Sequence, residues 1–420
     1  MKQVLVKGGK VHLETVPAPA ITAGMALVQV RYSLISSGTE SGFVSKGGTT
    51  VYAIKKASDP LNIEKVKRKL ASVGPKGTID VIKNKLFAFQ VPGYSTSGVI
   101  VACGAEVPGF RVGDRVACAG VGYASHGEYN AVPHQLLTPL PDGVGFEGGA
   151  FVALGAIAMQ GVRRAQPTFG ETVVVLGLGL VGLLALQIVR AAGCRVIGCD
   201  PIETRRALAT KLGAEAVCEP NALDGIVHEW TGGHGADAVV VCAASKDSAI
   251  ANQAIDLCRQ KGRVSVIGSV GMHLEREGLF RKEIDFALSC SYGPGRYHPG
   301  YEEKGLDYPI GYVRWTEGRN MAEFLRMVAE QKVQVTPLIS VVHSIDEAAT
   351  AYEAVLNSGS DTIAALLRYG EGDDTAPHIP TPTLSLKSNV APSGSIGLAV
   401  VGAGAFAQSV HLPNLRKITG

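Results

Sequence analysis

The rhythm of apolar positions changes twice along the chain. Over residues 1–150, short β-branched runs alternate with turns rich in Gly and Pro: MKQVLVKGGKVHLETV, MALVQVRYSLIS, SGVIVACG, DRVACAG and EYNAVP. Runs of that length between turn signals predict a compact β barrel or sandwich. Over 151–290 the apolar cores TVVVLGL, RVIGCD, DAVVVCA and GRVSVIGS alternate with 3.6-residue patterns in LVGLLALQIVRAAG, TRRALATKLGA and DSAIANQAIDLCRQKG. Strand–helix alternation of this kind predicts an α/β unit with a doubly wound parallel sheet. Residues 291–370 return to mixed structure, with a loop rich in Gly, Pro and Tyr (SYGPGRYHPGYEEKGLDYPIGY) and two helical runs, NMAEFLRMVAEQ and SIDEAATAYEAVLNSG. Residues 371–394 are proline-rich and aperiodic, as a linker is. The remaining SIGLAVVGAGAFAQSVHLPNLRKITG reads as a strand, a Gly-rich turn and the start of a helix. A segment of about 25 residues cannot bury a core of its own, so a truncated second Rossmann start is expected at 395–420.

Composition sharpens this picture in few places. Hydrophobic residues are 46% and charged residues 18%, which fits a buried core and excludes a disordered chain. With 40 basic and 37 acidic residues, nothing points to a nucleic-acid partner. The eight cysteines include no C-x-x-C pair, which suits a reduced, cytoplasmic protein. The apolar run 173–189 approaches the length of a membrane span, but its glycine spacing fits a buried strand and helix, so no membrane association is expected. A homo-oligomer is expected. One segment departs from charge balance: residues 51–90 hold nine Lys/Arg against three acids. It reads as an inserted amphipathic helix pair whose basic face is either simply solvated or a lure for an anionic substrate.

The strongest chemical signal follows the strand TVVV. Gly177-Leu178-Gly179-Leu180-Val181-Gly182 opens the helical run LLALQIVRAAG, and Asp200 ends the next strand, 18 residues beyond Gly182. The first glycine permits the tight turn, the second lets a pyrophosphate approach the backbone, and the third lets helix and strand pack closely. The helix start offers free N–H groups and the positive end of its dipole to the phosphates. The Asp200 carboxylate suits ribose hydroxyls and repels a 2′-phosphate, which favours NAD over NADP, although Arg205 and Arg206 stand nearby.

Over 1–370 the chain resembles the medium-chain dehydrogenase/reductase superfamily. The resemblance is carried by GDRV at 113–116, GEYNAVP at 127–133, FGETVVVLGLGLVGLLALQIVRAAG at 169–193, and Asp200 followed by Arg205. Segment 394–415, with Gly402-x-Gly404-x-x-Ala407 and His411-Leu412-Pro413, resembles the opening of the glucose–fructose oxidoreductase/inositol dehydrogenase family. SGTE at 37–40, PGYSTSGV at 92–99 and SYGPGRY at 291–297 look like bi-domain oxidoreductases that fuse both units. The resemblance implies a GroES-like barrel (1–150 with 291–370), a Rossmann domain (151–290), and hydride transfer to or from a nicotinamide.

Departures from the zinc members shape the expected chemistry. Their Cys-Gly-Thr-Asp-like motif is Ser37-Gly38-Thr39-Glu40 here, and their Gly-His-Glu is Gly93-Tyr94-Ser95. Catalytic zinc takes three N, S or carboxylate ligands, so both zinc sites are expected to be absent. Proton handling then falls to Tyr94, Thr39 and Ser37 as catalytic candidates, each with an alternative as a packed aromatic or a turn residue. Glu40 is expected to pair with an arginine, as the family's acid does, and His126 reads as a turn residue. Substrate-binding candidates are Arg296, for gripping an anionic group, with Tyr292 and His298 in the same loop. Cofactor-binding candidates are Gly177, Leu178, Gly179, Leu180, Val181, Gly182, Asp200 and Arg205. The expected function is a zinc-independent NAD(P)-dependent oxidoreductase acting on the alcohol or ketone of a small sugar-like or anionic molecule, a carbohydrate or a nucleotide-sugar. A zinc alcohol dehydrogenase with unusual ligands and a non-catalytic NAD-binding scaffold remain as alternatives.

Overall fold

A computed structural model of the chain describes residues 1–40, 44, 89–356, 361–370, 398, 400–402, 404, 407, 411–416 and 418. The basic segment 51–88, the linker 371–394 and the side chains of Ser37 and Thr39 lie outside the described residues. The chain forms two compact units, Met1–Thr383 and Leu384–Gly420. In the second, the described residues include a short helix, Leu412–Leu415.

The first unit contains two large sheets. Strands β1 (Lys2–Lys7) and β2 (Lys10–Thr15) form a hairpin. Its two turn residues, Gly8 and Gly9, both have positive φ (55° and 80°), the backbone that a tight right-twisted hairpin demands. Next come β3 (Met25–Ile35), β4 (Ser95–Cys103), β5 (Arg115–Ala119), β6 (Tyr129–Pro133) and β7 (Leu137–Pro139). β3 is the hub of this sheet, pairing antiparallel with β4 and β6.

The parallel sheet holds β8 (Thr172–Leu176), β9 (Arg195–Cys199), β10 (Ala216–Cys218), β11 (Ala236–Val241), β12 (Cys258–Val266) and β13 (Asp285–Leu288). Their order across the sheet is β10-β9-β8-β11-β12-β13. Counted from its own first strand that is 3-2-1-4-5-6, the doubly wound order expected from the sequence. Ligand crevices in such sheets open at the carboxyl ends of the strands where the order reverses, here between β8 and β11. The helical pattern over DSAIANQAIDLCRQKG is cut short: the helix is Ala249–Leu257, and Cys258 already begins β12.

After β13 the chain returns to the first sheet. β14 (Ile339–Ser344) and β15 (Ala364–Arg368) pair in parallel, and β15 adds antiparallel to β3. The sequence pattern singled out neither strand, because ISVVHS and AALLR are only six and five residues long and flank the helical run SIDEAATAYEAVL.

One helix joins the two sheets. Val152–Ala165 buries residues on almost every face, so it is apolar all round rather than striped. Glycines let neighbours approach it: a Cβ on Gly155 would stand 2.3 Å from the Phe324 ring, and one on Gly161 2.0 Å from Ile267 Cδ1. Its start is held by Ser95, whose hydroxyl donates to the Ala150 carbonyl (2.7 Å) and accepts from the Ala153 N–H (3.1 Å). It ends at Gln166, in the left-handed region at φ 48°, followed by Pro167. Ser95 thereby ties Tyr94, the neighbouring residue, to the helix that carries the second sheet.

Candidate active site

The 177–182 turn has the geometry its sequence requires. Gly177 has φ 91°, and a Cβ there would meet the Ala243 backbone nitrogen at 2.7 Å. A Cβ on Gly182 would fall 1.8 Å from the Gly177 carbonyl oxygen, so no other residue fits. A Cβ on Gly179 would meet nothing within 4 Å, which leaves the space open that a phosphate group needs. Gly179 precedes the helix Leu180–Ala191, and no side chain caps that helix start. Its first N–H groups therefore face the same opening. Leu178, Leu180 and Val181 lie in this turn, with Leu178 fully buried.

Asp200 is buried and anchored to the same turn. One carboxylate oxygen accepts from the Leu178 N–H (2.8 Å), and the other accepts from the Ile202 N–H (2.9 Å). Arg205 stands 3.8 Å from the carboxylate, and Arg206 donates to the Asp200 carbonyl (2.7 Å). The arginines thus brace the acid rather than occupy its place.

Around the Ser37–Glu40 turn the structure departs from expectation. Glu40 is 1% exposed and has no arginine partner among the described residues. Its carboxylate faces His126 Nε2 at 3.0 Å and accepts a hydrogen bond from the Tyr352 hydroxyl. Its other oxygen accepts from the Ser36 N–H at 3.1 Å. His126 lies in a bend, as its sequence suggested, but it is fully buried there, with Nδ1 at 2.7 Å from the Ser33 hydroxyl. Ser33 in turn lies 2.8 Å from the Tyr369 hydroxyl. Histidine replaces arginine because the chain brings position 126, with its backbone N–H donating to the Pro92 carbonyl (3.1 Å), beneath the turn. Burial pushes the Tyr352 phenol well above its ordinary range, and the Glu40 carboxylate beside it adds to the rise. Tyr352 therefore stays a hydrogen-bond donor. A Cβ on Gly93 would strike the His126 backbone nitrogen at 2.7 Å, so the network presses directly against the residue before Tyr94. Nothing in the sequence joined these residues, since Glu40 and Tyr352 are 312 positions apart. Tyr352→Phe removes one hydrogen bond to a buried carboxylate. We expect it to lower stability by about 1.5–3 kcal/mol, read as a shifted urea midpoint with unchanged slope.

Tyr94 is 5% exposed. Tyr292, 2% exposed, lies near enough that Tyr94 contributes to raising its phenol, after burial as the main cause. In the same loop Arg296 does not present a free charge for an anionic ligand. Its Nη1 pairs with Glu302 at 2.5 Å, and its guanidinium stacks on the Tyr292 and Tyr297 rings at 5.2 and 4.1 Å. His298 is exposed, with Nδ1 at 3.0 Å from the Tyr308 hydroxyl and its ring stacked on that of Tyr308 at 5.7 Å.

Sequence reasoning missed Glu317, the first residue of the helix Glu317–Ala329. It is fully buried, and neither carboxyl oxygen has a hydrogen-bond partner among the described residues. Burial pushes its carboxyl up to about 9, Glu302 pushes the same way, and Arg296 opposes both. A helix start favours a carboxylate by only about 0.3–1 kcal/mol, too little to offset burial. Glu317 is therefore the neutral acid at neutral pH.

Comparisons with known proteins agree with this geometry. The chain matches the alcohol dehydrogenase GroES-like domain over residues 65–162 and the zinc-binding dehydrogenase family over 181–303. It is 28% identical over 297 residues to a sorbitol dehydrogenase of Halalkalibacterium halodurans, spanning 63% of this chain and 79% of that one. It is 31% identical over 243 residues to the D-guloside 3-dehydrogenase of Escherichia coli, spanning 55% and 63%. The fold is similar to the crystal structure of 2R,3R-butanediol dehydrogenase from Bacillus subtilis, with a TM-score of 0.65 at 19% identity over 87% of this chain and 99% of that one.

The match to a zinc-binding family overturns the expectation of a zinc-free protein that rested on Ser37 and Tyr94. Among the described residues no three His, Cys, Asp or Glu side chains converge to hold a metal, and Glu40 and His126 are committed to each other. The described donors thus do not make up a zinc site. No described helix is long and apolar enough to cross a membrane.

Proposed function

Because this chain belongs to the medium-chain dehydrogenase/reductase superfamily, we propose that it interconverts an alcohol and a ketone on a neutral polyol or sugar, using NAD. The observation that carries the reading is the 177–182 turn, with its open Gly179, its uncapped helix start and the buried Asp200 tied to Leu178. NAD bound there supplies the hydride acceptor or donor. Phosphates would be held by the helix N–H groups, and Asp200 would receive the ribose hydroxyls, with Arg205 steadying its charge. Tyr94 would hold the substrate oxygen through its hydroxyl and pass the proton that the reaction moves, and Thr39 and Ser37 would carry it onward. The buried Glu40–His126 pair fixes the turn that bears those two hydroxyls.

Two titrations test the cofactor assignment. NADH, followed by its fluorescence, should bind at least roughly tenfold more tightly than NADPH, the size of one like-charge contact near a protein surface. Asp200→Ala should narrow that preference. Equal or tighter binding of NADPH by the wild type would place Arg205 in control of the pocket. The substrate class is tested by following NADH formation with xylitol and sorbitol.

A further inference from the structure

Four buried polar atoms without a partner among the described residues lie around one loop: the Tyr292 hydroxyl, Arg296 Nε and both carboxyl oxygens of Glu317. Native proteins satisfy the great majority of such atoms, and each one left bare costs about 1–3 kcal/mol. Nine such atoms occur among the described residues, and four of them gather around this one loop.

The loop is moulded around these groups. Gly293 and Gly295 have φ of 112° and 109°. A Cβ on Gly293 would meet Asn320 Nδ2 at 2.7 Å, and one on Gly295 would meet Tyr301 at 2.7 Å and Glu317 Oε1 at 3.2 Å. The loop's ends, Ser291 (φ 47°) and Tyr297 (φ 65°), are both left-handed without being glycine. Non-glycine residues held in this region cluster at active sites and ligand clamps.

The chemistry of the bare groups selects the ligand. Arg296 and Glu302 neutralise each other at 2.5 Å, so the cluster carries no spare positive charge for a phosphate or carboxylate. What remains is one N–H donor, one phenol and one carboxyl group. A phenol and a neutral carboxyl each donate and accept, which is the complement of a hydroxyl group.

We propose that Tyr292, Arg296 and Glu317 form a hydroxyl-binding subsite near Tyr94, and that it holds the hydroxyl next to the reacting carbon of a polyol or sugar substrate. This rests on the reading of the protein as a polyol or sugar oxidoreductase. It revises the expectation that Arg296 grips an anion, and it gives the unpartnered acid a task.

The test uses the full chain, NAD, and two alcohols that differ in the neighbouring hydroxyl, xylitol and 2-butanol. A site that hydrogen-bonds a hydroxyl discriminates strongly against a ligand lacking it. Glu317→Leu and Tyr292→Phe should each lower kcat/KM for xylitol by about ten- to a hundredfold, mainly through KM, and change that for 2-butanol by less than about threefold. Glu317→Gln keeps a donor and an acceptor in the same shape and should lose less than Glu317→Leu. Retained NADH binding shows that each variant is folded; if Glu317→Leu is not, Tyr292→Phe and Glu317→Gln carry the comparison. Equal losses on both alcohols, or an unchanged KM for xylitol, would overturn the subsite while leaving the proposed function standing. A wild type that binds NADH yet oxidises no polyol would overturn the proposed function and the subsite with it.

Discussion

Tyr94→Phe is expected to lower turnover by about 10²–10⁴, the usual worth of a positioned acid or base, while folding and NADH binding survive. The substitution removes one oxygen from a side chain that is 5% exposed and keeps the ring that fills its space. Stability should therefore fall by no more than the worth of one hydrogen bond, about 0.5–1.5 kcal/mol, and the catalytic loss should appear in kcat rather than in the affinity for NADH. Thr39→Val should give a similar fall if its hydroxyl belongs to the same relay. The double variant should then be little worse than either single one, because groups that act as a unit are not additive. Steady-state rates with xylitol and NAD decide it. Full activity in Tyr94→Phe would reduce the phenol to core packing.

A second large effect concerns pH and stability. Glu317 keeps its proton in the folded protein up to about pH 9, whereas in the unfolded chain it ionises near its ordinary value of 4.5. Below that lower value both states hold the proton and the group is neutral toward folding. Between the two values the unfolded chain releases a proton that the folded one retains, so stability falls as pH rises. The slope is at most about 1.4 kcal/mol per pH unit. Across the window the loss should be on the order of 6 kcal/mol, and it should level off above the upper value. Glu317→Gln has no proton to release, so it should match the wild type in mild acid and exceed it increasingly toward alkaline pH. Urea midpoints of the two proteins at several pH values measure the difference directly. Parallel midpoints throughout would mean that the buried carboxyl is ionised and has found a partner.

The sequence carried the parts of this molecule whose physics is local. The turn at 177–182 needs glycine at fixed offsets, and Asp200 follows at the end of one more strand, so a window of some 25 residues holds the whole device. Parallel strands buried on both faces stand out in the same way, as TVVV and AVVV do. The Glu40–His126–Tyr352 network was illegible because its members meet only through the sheet that brings distant segments together. A histidine in SHGEY has no local mark of burial. Glu317 misled for the opposite reason: an acid in the first turn of a helix is so ordinary that its sequence position explains it completely. Only the loop above it, pressed close by Gly293 and Gly295, shows that no water reaches this one.

The pairing of β15 with β3 has a consequence for how the chain is made. All strands of the parallel sheet lie between Thr172 and Leu288, so that sheet is complete once this stretch has left the ribosome. The antiparallel sheet begins first and finishes last. Leu34 waits for Leu366, and the Ser33 hydroxyl waits for Tyr369, 336 residues later. During that interval the Tyr32–Ile35 end of β3, beyond the stretch that β6 covers, is an unpaired edge, the kind of surface that captures a neighbouring chain. Closing so long a span makes this step slow relative to local contacts. A polypeptide stopped before Ala364 should fold its dinucleotide half, leave the Tyr32–Ile35 end of β3 open, and aggregate through it.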